Sequence, residues 1–133
     1  MRYMLLIYQN EKAGPASPEA AEKGVAAHWA VIEESKKLGV FRGAEPLHPT
    51  STATTIRMRD GKRVTLDGPF AETKEQLAGY YILDCRDLDE AIGWASKLPL
   101  VCSAGEGCIE IRPIRALPTQ AEVADQYATS VNG

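Results

Sequence analysis

An α+β fold of the split-βαβ kind follows from three features of this 133-residue sequence. Two strand–helix–strand units stand in tandem, and a hairpin signal separates them. The first strand is apolar on both faces, as a central strand must be. The size suits one domain with its own core, and the 44% hydrophobic and 25% charged fractions are those of a globular chain.

The first strand reads over residues 2–9, with Leu5 and Ile7 on one side and Met4, Leu6 and Tyr8 on the other. Gln9-Asn10-Glu11-Lys12 ends this run too soon for a signal peptide or a membrane span. A turn at Ala13-Gly14-Pro15-Ala16 leads to a helix start: Ser17 caps, Pro18 suits the first position, and Glu19 complements the dipole. This helix is expected to run to about Leu38, where Gly39 stops it. Its buried stripe reads Ala21, Val25, His28, Ile32 and Ser35, with Trp29 alongside.

Val40 to Ala44 reads as a second strand, fading at Pro46 and Pro49. Thr54–Met58 and Lys62–Leu66 flank Asp60-Gly61, a two-residue hairpin signal. A loop over 67–76 precedes a strand over 77–84, in which Gly79 marks a bulge. Asp87 and Glu90 form a capping box for a helix ended by Pro99, with Ala91, Ile92, Ala95, Leu98 and Trp94 buried. The last strand is Cys108 to Arg112, where Ile109 and Ile111 face the core. Residues 1–117 form the domain, and 118–133 a peripheral tail with a helical stretch from Gln120 to Tyr127. This skeleton is that of a ferredoxin-like antiparallel sheet with both helices on one face. Its other face needs a cover, for which a second copy of the chain is the natural source.

A net charge of −3, a pI near 5.4 and no run of Lys and Arg argue against nucleic acid or an anionic membrane as partner. Cys85, Cys102 and Cys108 form no CxxC pair and read as reduced thiols, which points to the cytoplasm. The loop from Cys102 to Cys108 could present a thiol, but nothing in the sequence activates one. No zinc-site spacing, phosphate-binding glycine loop or nucleophile elbow is present, so neither a metal nor a cofactor is expected.

Asp67-Gly68-Pro69-Phe70-Ala71-Glu72-Thr73-Lys74-Glu75 resembles the DGPF signature of YCII-related proteins. The resemblance extends to Tyr3-Met4-Leu5-Leu6-Ile7, Gly79-Tyr80-Tyr81 and Ile109-Glu110-Ile111-Arg112-Pro113, and so spans residues 1–115. It implies a dimeric α+β barrel of ferredoxin-like halves. It also implies a helix histidine, matched by His28 with Gly39 at the helix end, that pairs with an aspartate in a pocket. Simpler members carry that aspartate near the end of the same helix, where this chain has Lys36-Lys37-Leu38. Asp67 is the remaining candidate. Two readings stay open for it: carboxylate partner of His28, or a residue that fixes a rigid turn.

Phe70 can anchor the signature loop in apolar surroundings. Arg112 shares a strand face with Glu110, and either pairs with it or holds an anionic ligand group. Tyr8 and Tyr81 read as core or pocket wall, and His48 as a surface-loop residue. Two functions follow. One is an enzyme acting on a small organic acid by isomerase, lyase or ring-opening chemistry, with His28 as acid/base supported by Asp67 and Tyr8, Phe70 and Arg112 about the ligand. The other is a metabolite-binding or regulatory module without turnover; the resemblance implies association with an extracytoplasmic-function sigma factor.

Overall fold

The computed structural model describes residues 1–100 and 106–132. Its order is β1 (Arg2–Gln9), α1 (Pro18–Lys37), β2 (Phe41–Pro46), β3 (Thr54–Arg59), β4 (Lys62–Asp67), β5 (Gln76–Asp84), α2 (Leu88–Ala95), β6 (Cys108–Pro113) and α3 (Gln120–Asn132). The main sheet runs β2-β5-β1-β6 and every neighbouring pair is antiparallel. Each βαβ unit therefore brackets a strand of the other, which is the ferredoxin-like arrangement expected.

Alternation along the strands decides which side is core. Tyr3, Leu5 and Ile7 of β1 lie opposite Leu83, Tyr81 and Gly79 of β5, and all six are buried. Val31 of α1 and Ala91, Trp94 and Leu98 around α2 join them in one cluster, so both helices cover this side. Met4, Leu6, Tyr8, Tyr80 and Ile82 occupy the opposite side and are half-buried. The caps form as expected. Ser17 Oγ accepts from the Ala20 amide at 3.0 Å, and Asp87 Oδ1 accepts from the Glu90 amide at 2.9 Å. The return bond from Glu90 goes to the Arg86 amide, one residue before the cap.

Several expectations need correction. On α1 the buried residues are Gly24, Val31 and Ser35, while Val25 and Trp29 are 58% exposed. Val25 and Trp29 line an open cavity between α1 and the sheet, which accounts for their exposure. Ile92 of α2 is 46% exposed instead of buried. β2 continues through Pro46, which an edge strand tolerates because its outer side has no ladder to complete. Phe70 is 73% exposed and anchors nothing; Arg57 Nη2 donates to its carbonyl at 3.2 Å. Cys102 lies outside the described residues, and with it most of the loop read as presenting a thiol.

The Asp60-Gly61 turn has both residues at positive φ, 51° and 77°, as a tight hairpin requires. Its register sets Arg59 against Lys62 and Met58 against Arg63. Arg57, Arg59 and Lys62 therefore share one face of the hairpin, basic charge that the linear sequence does not show as a run, and Arg63 lies on the other. Ile56 and Met58 beside them are 70% and 59% exposed.

The β1–β5 register shifts between Ile7 and Tyr8, leaving Ala78 as the extra residue beside Gly79. A Cβ on Gly79 would stand 2.8 Å from the Glu45 carbonyl oxygen and 3.1 Å from the Pro46 Cα. Backbone cannot yield as a side chain can, so Gly79→Ala is expected to destabilise the fold by about 1–3 kcal/mol. Urea unfolding measures this, and an unchanged midpoint would show that β2 shifts freely.

Candidate functional site

Between α1 and the β2–β5–β1 part of the sheet lies a cavity of about 700 Å³. α1 turns Ala21, Gly24, Val25, His28, Trp29 and Ile32 toward it, the one-face set that spacings of three and four produce. β1 adds Ile7 and Gln9, β2 adds Ala44 to Pro46, and β5 adds Ala78 to Tyr81. The small residues Ala21, Gly24, Ala44, Ala78 and Gly79 leave room between helix and sheet. The walls are mainly apolar, with few polar groups, as in small-molecule sites.

His28 is the chemical centre. Its Nδ1 lies 2.7 Å from the Tyr81 hydroxyl, and the rings stack with centroids 5.8 Å apart and planes 17° from parallel. Tyr81 holds its place because the β5 alternation puts it in the core, 3% exposed and opposite Leu5. Two tautomers satisfy the bond. Either Tyr81 donates to Nδ1 and Nε2 carries the hydrogen, or Nδ1–H donates to Tyr81 and Nε2 is the free base. Burial lowers the His28 pKa below its ordinary 6.5, so the imidazole is neutral at neutral pH. Burial also pushes the Tyr81 hydroxyl up to about 12, keeping it protonated.

The structure does not bring Asp67 to His28 within one chain. Asp67 ends β4 opposite Thr54, is exposed, and is absent from the cavity wall. A carboxylate beside it would raise the histidine pKa, whereas burial lowers that of His28. Gly68 next to it takes φ 93° and donates to the Ala53 carbonyl at 2.7 Å, so the signature closes the hairpin base. Tyr8 faces the other side of the sheet. Arg112 is exposed on an edge strand, with Nη1 3.8 Å from Glu110. His28 is thus the one residue among these five that lines the cavity. Sequence reasoning left Tyr81 as core or wall; its alternation with Gly79 and Leu83 was the available signal. Gly24 gave no signal.

Among the described residues no group of His, Cys, Asp and Glu is arranged to hold a metal ion, and no helix is long and apolar enough to cross a membrane. A family model described as the YCII-related domain matches residues 1–118. A curated relative, an uncharacterised protein of Rhizobium meliloti (strain 1021), is 38% identical over 115 residues, covering 86% of this chain and 92% of the relative.

Proposed function

The chain belongs to the YCII-related family, and we propose from that premise that it acts on a small organic molecule by proton transfer, with His28 as acid/base. The observation that carries this reading is the His28–Tyr81 pair, 2.7 Å apart on the wall of the cavity. A neutral imidazole is ready to take a proton. Tyr81 holds the imidazole ring in place in either tautomer, the orienting task the sequence reading gave to Asp67. With Nδ1–H donating to Tyr81, Nε2 removes a proton beside a carbonyl and returns it at a neighbouring atom, which is isomerase chemistry. Returning it to a departing group gives the lyase form. We also infer a homodimer in which the half-buried side of the sheet is covered by a second copy.

The test is an NMR titration of His28 in the wild type, Tyr81→Phe and Asp67→Asn. His28 is expected to titrate below 6.5, to move in Tyr81→Phe and to ignore Asp67→Asn. A raised value that falls in Asp67→Asn would instead restore the aspartate pair. The acid limb of the activity profile should lie below that of an ordinary imidazole, since burial lowers the His28 pKa from 6.5. Stability follows the same shifts. Between the lowered folded pKa and 6.5 the unfolded chain binds the extra proton, so stability falls as pH falls through that window. For Tyr81 the unfolded chain loses its proton first, so stability falls as pH rises from 10.0 to about 12.

A further inference from the structure

The class of molecule that enters the cavity can be read from the charges its walls lack, an inference resting on His28 being its working group. We propose that the cavity receives an uncharged, planar ring compound bearing a carbonyl or hydroxyl group, in place of the small organic acid that the sequence suggested.

The first argument is electrostatic. Among the described residues no Lys or Arg lines the cavity. Arg112, the residue expected to hold an anionic group, sits beside Glu110 on an edge strand away from it. Arg42 donates to the Gly39 and Phe41 carbonyls and pairs with Asp84. His28 contributes no compensating charge near neutral pH, because burial disfavours its cationic form. The wall's formal charge is the exposed Glu45 carboxylate, which repels anions. A carboxylate entering this space gives up its hydration and finds no cation in exchange, a loss that neutral molecules avoid.

The second argument is shape. The near-parallel planes of His28 and Tyr81 present a flat stacked pair, and Trp29, the next residue on α1, adds a third aromatic side chain to the lining. Ile7, Val25 and Ile32 fill the intervening wall with aliphatic surface. A volume of about 700 Å³ accommodates one or two fused rings. One polar handle suffices for orientation: Nε2 of His28 has no partner among the described residues and meets a carbonyl or a hydroxyl according to its tautomer.

Isothermal titration calorimetry with two matched probes decides the matter: naphthol, neutral near pH neutrality, and naphthoate, which has the same rings and a negative charge. Naphthol is expected to bind and naphthoate to bind at least about tenfold more weakly. Val25→Arg, a change at a 58% exposed position of the wall, supplies the missing cation and is expected to recover naphthoate binding. Equal or tighter binding of naphthoate by the wild type overturns the proposal, as does binding of neither probe. No gain in Val25→Arg overturns it too, since charge would not then be the discriminating property. The outcome separates from that of the acid/base reading. Naphthol binding by a protein whose His28 answers to Asp67 keeps the ligand class and removes the tyrosine-supported imidazole. A tyrosine-coupled His28 in a protein that prefers naphthoate does the reverse.

Discussion

His28→Gln is expected to abolish proton transfer in the cavity, lowering its rate by about 10²–10⁴-fold, the usual contribution of a positioned acid/base. The probe is β-tetralone, an uncharged bicyclic ketone whose protons beside the carbonyl exchange with deuterated water; NMR follows their loss. Glutamine keeps hydrogen-bonding atoms near the Tyr81 hydroxyl, so the fold is retained, and thermal unfolding verifies that. Tyr81→Phe should cost less and alter the pH profile, because the ring stays stacked while the bond at 2.7 Å is lost. Equal exchange rates in wild type and His28→Gln would exclude His28 as the base. A wild type that binds the ketone without hastening exchange selects the second reading, a ligand-binding module without turnover.

The second large effect concerns assembly. Ile82→Glu is expected to convert a dimer to a monomer. Ile82 and its neighbours Met4, Leu6 and Tyr80 are the half-buried apolar residues on the side of the sheet opposite α1 and α2. A stable interface buries about 1,200–2,000 Å² in all, and a carboxylate introduced among its apolar side chains loses its hydration on association. Sedimentation velocity on both proteins at one concentration reads the result. A monomeric wild type would overturn the dimer.

Much of the fold was legible because local chemistry and tertiary need agree. Ser17-Pro18, Asp87 with Glu90 and Asp60-Gly61 each name their structure through a cap or a turn, and the strands alternate in step with the sheet. What stayed hidden depends on distances between elements. On α1, Val25 and Trp29 face an open cavity and so stay exposed, which a pattern of apolar spacings does not encode. For the site, helix periodicity already aimed His28 inward. Its partner could not be found that way, since Tyr81 is 53 residues distant in sequence and meets it only through the packing of α1 on β5. The aspartate favoured by the signature ends β4 at the hairpin base, opposite Thr54 and next to Gly68, a place no helix or strand period announces.

The hairpin divides the molecule into regions of unequal persistence. β3 and β4 hydrogen-bond to each other in a two-stranded sheet, separate from the four strands that share the core. A pair of strands alone is marginal in water, so its amide hydrogens should exchange through local opening. Those of β1 and β5, each flanked by strands on both sides, should wait for global unfolding. The signature loop, with Gly68 tied to Ala53 and Thr55 to Gly68, lies at the boundary. It would therefore register the hairpin's opening while the cavity residues remain closed.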